Sequence, residues 1–221
     1  MFAQIKATWR AGHHEAAVSA LTKYLNDHPD DINGYLLLAS FLTILQDFEQ
    51  AELLLQKTLV KFPQQPSLTY ALAILYYQSQ VYDKALPLFL NLQNNPETSE
   101  DATFMLGETY LQLNQLQRAL GYALTAAEKA PTKTDANILV ADIMIRLQMF
   151  KQAEPYLAKA LKQQPQSAAI NFKYGLVMMV LGKQYNNYFV KARQLDETYF
   201  KAHRQQLDEI ARFLEAQRED E

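Results

Sequence analysis

The sequence predicts an all-α protein built as a one-dimensional stack of helical hairpins, and three observations carry that expectation. Prolines recur at a step of 34 residues, from Pro29 to Pro63 and from Pro131 to Pro165. Alanines keep the same step in the unbroken series Ala17, Ala51, Ala85, Ala119 and Ala153. A second small-residue series, Ala39, Ala73, Gly107, Ala141 and Gly175, repeats at that interval too. Small residues at fixed points of every period mark places where two helices approach closely, because a larger side chain would hold them apart.

Each period reads as two helices. In the second, Tyr35, Leu38, Ala39 and Leu42 fall at i, i+3, i+4 and i+7, one face of a first helix. After Gln46-Asp47, the residues Phe48, Ala51, Leu55, Thr58 and Leu59 mark the inner face of a second helix, and Pro63 ends it. Such a hairpin cannot cover both of its faces and must stack on neighbours. The chain divides into six units, at about 1–31, 32–65, 66–99, 100–133, 134–167 and 168–197. The first helix of the first unit is about one turn short. The third unit closes one residue early at Pro96, inside the polar run Asn94 to Ser99. Pro87 and Pro155 stand two residues after the alanines of their units, near the first turn of second helices, where a missing N–H costs little. The sixth unit lacks two residues between Gly182 and Tyr185, and Phe189 and Ala192 restore its pattern. Residues 198–221 read as a capping helix with a charged tail. Phe200, Leu207, Ile210, Phe213 and Leu214 share one side, Arg204, Asp208, Glu209 and Arg212 supply a polar one, and 215–221 are expected to fray.

Composition narrows the function. Twenty-one Lys and Arg against 24 Asp and Glu give a net charge of −3, which excludes a polybasic binder of nucleic acid or anionic lipid. With no cysteine, thiolate metal sites, disulfides and Cys nucleophiles are excluded, and a reducing, cytoplasmic setting is expected. No apolar signal-like run opens the sequence, and the longest apolar stretch, Tyr35 to Leu45, is far short of the roughly 20 residues a membrane span needs. Membrane insertion is therefore not expected. His13-His14-Glu15 is the one cluster suggestive of a metal, but adjacent residues on a helix point apart, so a solvated turn is the reading. No catalytic or phosphate-binding motif is found, and neither an enzyme nor a cofactor is expected.

The repeat resembles the tetratricopeptide repeat (TPR). The family's small first-helix residue, its second-helix alanine and its closing proline fall on Gly107, Ala119 and Pro131, on Ala39, Ala51 and Pro63, and on Ala141, Ala153 and Pro165. Its usual first-helix aromatic falls on Tyr76 and Tyr110. The resemblance covers nearly the whole chain. It implies a right-handed superhelical solenoid of about six such units plus the C-terminal cap, and a protein-binding scaffold. It also implies that four positions of each first helix face a concave groove. One row of these reads Phe2, Leu36, Tyr70, Phe104, Ile138 and Phe172, apolar throughout. A second reads Lys6, Ser40, Ile74, Glu108, Asp142 and Leu176, and a third includes Trp9, Tyr77, Leu111 and Ile145. Asp101 and Asp135 belong to the fourth.

Two readings of these rows compete. They can pack between adjacent first helices, or, because Leu38, Leu72, Leu106, Val140 and Tyr174 already serve that packing, they can form a surplus apolar floor that a partner covers. The second reading makes Tyr70, Tyr77, Phe104 and Phe172 anchors for an unidentified protein or peptide. With Asp101, Glu108, Asp135 and Asp142 as acidic walls, it favours an apolar peptide or amphipathic helix carrying basic residues. The family's clamp for the acidic tails of heat-shock chaperones needs Lys, Asn, Asn, Lys and Arg, in that order, where Phe2, Lys6, Leu37, Ser67 and Ala71 stand, so that partner is not expected. Glu108 and Asp142, one repeat apart, read as a solvated groove wall in preference to an acid–base pair, since no nucleophile or metal accompanies them. The alternatives are a self-associating scaffold that forms a homo-oligomer and, less well supported, a small-ligand sensor using the acidic groove.

Overall fold

The computed structural model describes residues 1–219, apart from the side chains of residues 206, 211 and 213–219. Every regular element among the described residues is helical. The first helices of the six hairpins are α1 (Phe2–Arg10), α3 (Ile32–Ile44), α5 (Pro66–Gln78), α7 (Ser99–Gln112), α9 (Thr134–Arg146) and α11 (Ala168–Val180). The second helices are α2 (His14–Asp27), α4 (Phe48–Lys61), α6 (Tyr82–Leu92), α8 (Leu116–Lys129), α10 (Phe150–Gln163) and α12 (Asn186–Leu195). A last helix, α13 (Glu197–Glu219), closes the series. No helix is long and apolar enough to cross a membrane among the described residues. The chain divides into two compact units, Met1–Leu113 and Asn114–Glu221, with the division at the turn after α7.

One backbone device makes all six hairpin turns. Residues Gly12, Gln46, Gln80, Asn114, Gln148 and Gly182 stand 34 apart, and each has a φ between 56° and 84°. The left-handed conformation reverses the chain just past the first helix and brings freed amides back onto its last carbonyls. The Asp47 amide donates to the Leu42 carbonyl at 2.9 Å and the Gln46 amide to Thr43 at 3.0 Å. Val81 to Tyr76, Met149 to Met144 and Lys183 to Met178 repeat the longer bond. Only two of the six positions are glycine, so the others carry the steric cost of a Cβ in this region. Helix starts are set more locally. The Asp31 carboxylate accepts from the amides of Asn33 and Gly34 and also from the Tyr24 hydroxyl at 2.8 Å, tying α2 to the start of α3.

The repeated small residues do what their spacing demands. Ala17, Ala51, Ala85, Ala119 and Ala153 have no exposed surface, and Leu21, Leu55, Phe89, Ala123 and Leu157, another series at the same step, are equally sealed. At Gly175 an added Cβ would lie 2.9 Å from the Phe189 ring, so that glycine is a close approach of α11 to α12.

Two expectations shift. Pro87 and Pro155 lie in the second turn of α6 and α10, not the first. Each therefore leaves the carbonyl four residues back, of Asp83 and Lys151, without its helical donor, and the exposure of both prolines lets water replace it. The cap starts at Glu197 and packs on α11 and α12 through Tyr199, Phe200, Leu207 and Ile210. The side chains of Phe213 and Leu214 lie outside the described residues; of the end expected to fray, residues 215–219 continue α13 and residues 220–221 lie outside the described residues.

Candidate functional site

Within the first unit, α1, α3, α5 and α7 stand side by side in chain order. Trp9 of α1 stacks face to face on Phe41 of α3, with centroids 3.9 Å apart and planes 4° from parallel. Helices α3 and α5 touch directly. The Tyr77 hydroxyl of α5 donates to Glu108 Oε2 of α7 at 3.2 Å.

Between α3 and α5 this row leaves an open trough of about 280 Å³. Leu36, Ser40 and Ile44 line one wall and Tyr70, Ile74 and Gln78 the other. The Tyr70 ring leans edge-on against Phe89, 5.9 Å away, so its inner edge is anchored while the residue stays half-exposed. At the floor, the Thr43 hydroxyl donates to the Ala39 carbonyl at 2.7 Å, so this buried hydroxyl has its partner within α3. Neither α3 nor α5 contains a single Asp, Glu, Lys, Arg or His. The trough is therefore an uncharged, mostly apolar depression on an exposed surface.

Of the residues expected in a groove, Leu36, Ser40, Tyr70 and Ile74 are brought together here. Ile44 joins them at 58% exposure and was not among the expected residues. The signal was present: it stands one turn beyond Ser40 on the same stripe. Phe2 and Trp9 instead pack on the core of Ile5, Leu21, Leu25, Leu38 and Phe41, and Phe2 meets the Tyr24 ring edge-on at 5.2 Å. Lys6 is exposed. Tyr77 is half-buried, and its hydroxyl is held protonated well above the usual tyrosine range, first by burial and then by the Glu108 charge. Phe104 and Glu108 are half-buried, Asp101 is exposed, and Leu111 is buried and so belongs to the packing.

The second unit differs. Ile138 and Ile145 are half-buried, but Phe172 is 1% exposed and Leu176 5%. Asp135 is exposed. An open anchor at Phe172 and Leu176 does not hold in this structure, because α13 lies over them. Phe172 is ringed by Phe189, Phe200, Tyr199 and His203, all with centroids within 6.0 Å. The acidic wall is also altered: Lys173 Nζ sits 2.6 Å from Asp142 Oδ2, with both side chains mostly covered. Burial and then the Asp142 charge raise the Tyr199 hydroxyl, consistent with α13 starting beside that pair. The role of the lysine and the covering of Phe172 escaped the sequence reading because neither follows the 34-residue step. Tyr77–Glu108 and Asp142–Lys173 both span 31 residues, about one helical turn less than a repeat, and both join successive first helices.

His14 packs on the Trp9 ring at 4.3 Å, and no group of three His, Cys, Asp or Glu side chains gathers among the described residues. A second cleft, about 300 Å³, is lined by Val18 and Thr22 of α2, Leu38 and Leu42 of α3, and Leu53 and Leu54 of α4, with Gln50 and Lys57 of α4 at its polar edge. The repeat pattern gave no sign of it.

The family model for the tetratricopeptide repeat matches residues 2–66 and 70–134, more than half of the chain. Comparison with curated proteins gives no match. Among solved structures, PilF of Pseudomonas aeruginosa aligns with a TM-score of 0.78 at 15% identity, over 93% of this chain and 94% of that one. YrrB, described as a TPR protein with an unusual peptide-binding site, aligns at 0.63 and 20% identity over 86% and 99%. MamA aligns at 0.64 and 19% identity over 74% and 97%. Identities this low speak for the fold alone.

Proposed function

The chain belongs to the tetratricopeptide repeat family, and on that premise we propose that it works as a non-catalytic docking module whose open site is the trough between α3 and α5. The observation that carries this reading is the trough itself: Leu36, Ile44, Tyr70 and Ile74 stand on an exposed surface around about 280 Å³ of open space, with no charged residue on either helix. Apolar surface in such a concentration is covered by a partner more often than left to water. The occupant is an apolar peptide or one face of an amphipathic helix, with half-exposed Tyr70 and Phe104 as contacts. Each aromatic ring fully covered contributes roughly 1.5–3 kcal/mol, so a few suffice for micromolar affinity once ordering costs are subtracted. A preference for basic residues in the partner is read from the carboxylates Asp101 and Glu108 of α7, the first helix that follows the far wall. The cysteine-free composition fits a reducing, cytoplasmic setting.

A peptide array probed with the wild-type chain and with Tyr70→Ala/Phe104→Ala tests the reading. Loss of most spots in the double variant is expected, and an unchanged pattern overturns the assignment. A self-associating scaffold is the second reading, favoured by the α2–α4 cleft and by Leu53 and Val60 of α4, which are 44% and 84% exposed. If it holds, the mass measured by light scattering rises with concentration and Leu53→Asp returns it to the monomer.

A further inference from the structure

The trough is uncharged, but the helix beside it is not. The repeat places Lys6 in register with Ser40 and Ile74, and Arg10 in register with Ile44 and Gln78. All four of those counterparts line the trough. Lys6 and Arg10 therefore stand on the same face, one helix away, on α1. The stacking of Trp9 on Phe41 holds α1 against α3. Both cations are exposed, α1 carries no acidic residue, and neither cation has an ion-pair partner among the described residues. Read across the row, Lys6, Ser40, Ile74 and Glu108 pass from cation through two neutral residues to anion.

Resting on the docking reading above, we infer that the trough takes its peptide in one orientation, with an Asp or Glu side chain of the partner seated over Lys6 and Arg10 and its apolar residues between Leu36 and Ile74. Two unpaired cations at one edge of an uncharged depression set a direction for any extended chain crossing the row, and like charge at that edge is repelled. Successive helices lie about 8–10 Å apart and an extended peptide advances about 3.3 Å per residue, so the acid stands roughly four residues from the apolar anchor. The partner is thus a peptide segment with an acidic residue flanking an apolar run, its charge placed by α1 and its grip supplied by α3 and α5.

Three selections from one library of 12-residue peptides displayed on phage test this, against the wild type, Lys6→Glu/Arg10→Glu and Ile74→Asp. The wild-type pool is expected to show Asp or Glu at one flank of an apolar run. The charge-reversed pool is expected to show Lys or Arg there, and the Ile74→Asp pool to show no enrichment. For the best wild-type peptide, replacing its acid by the amide should weaken binding roughly three- to tenfold at low salt, the size of two exposed charge contacts, and the gap should close as salt is raised. If the apolar run is selected and lost in Ile74→Asp while charge reversal changes nothing, the orientation is overturned and the docking reading stands. If Ile74→Asp selects the same peptides as the wild type, or no peptide is selected at all, the docking reading falls and the orientation with it. Lys6 and Arg10 are solvent-exposed, so circular dichroism of the charge-reversed chain should match the wild type.

Discussion

Tyr70 and Phe172 occupy the same point of the repeat, three periods apart, yet one lines an open trough and the other is sealed. Each has a second-helix phenylalanine against its inner edge, Phe89 and Phe189. The difference lies outside. Tyr70 stays half-buried at the wall of the trough, whereas Tyr199, Phe200 and His203 of α13 close over Phe172. The same aromatic row is thus an available surface in one unit and a core in the other. A repeat position states which way a side chain faces; whether that direction ends in solvent depends on the helix added beyond the last hairpin.

The sharpest break in this comparison is a pair of truncations. Phe172→Ala should lower the unfolding free energy by about 3–5 kcal/mol, as a fully buried ring does. Tyr70→Ala, half-exposed, should cost about 1–2 kcal/mol. Equal losses in urea titrations would mean that the two sites are not differently packed. Next in size, Phe200→Ala should remove about 2 kcal/mol of the contact between α13 and α11. Hydrogen exchange should accelerate in α11 to α13 and stay unchanged in α3 and α5, because stability in a stacked array is carried by nearest neighbours.

Smaller effects belong to the turns. Gly12→Ala and Gly182→Ala place a Cβ in open space at positive φ, so the loss comes from the backbone alone, at about 1 kcal/mol each. Gln46→Gly should gain up to about 0.5–1 kcal/mol by the same reasoning in reverse, and melting curves of the three variants check both signs. The smallest expected effect is at high pH. Folding raises the Tyr77 hydroxyl above its unfolded value of 10.0, so its contribution is complete below pH 10 and is lost as pH climbs above it. Tyr77→Phe should flatten the decline of stability between about pH 10 and 12, and an unchanged slope would show that the hydroxyl contributes nothing to it.

Much of the fold could be read in advance because its causes are local and periodic. The alanine series, the closing prolines and the six turns all recur at one step, and each recurrence answers a steric need of a single hairpin. Even the sixth unit, short by two residues, keeps Phe189 and Ala192 buried. The site was legible only in part. Leu36, Ser40, Tyr70 and Ile74 meet as their shared register implies, while the Lys173–Asp142 pair obeys the 31-residue offset of neighbouring helices and so is invisible at a step of 34. Ile44 escaped because its stripe was read one turn too short, and the prolines were placed a turn early because α6 and α10 begin right after the left-handed turn residues Gln80 and Gln148, several residues before the repeat alanines.

Taken by itself, the amino-acid order determined the helical hairpins, their number, the faces they bury and the residues that approach too closely for a side chain. Those are properties of one period and its immediate neighbour, where a methyl group too many is decisive. Tertiary structure alone decided which of the equivalent outward residues remained outward. Covering Phe172 takes a helix that starts more than twenty residues later, while Tyr70 keeps part of its surface at the trough between α3 and α5. Burial depends on everything that can reach a surface, and no single repeat contains that information.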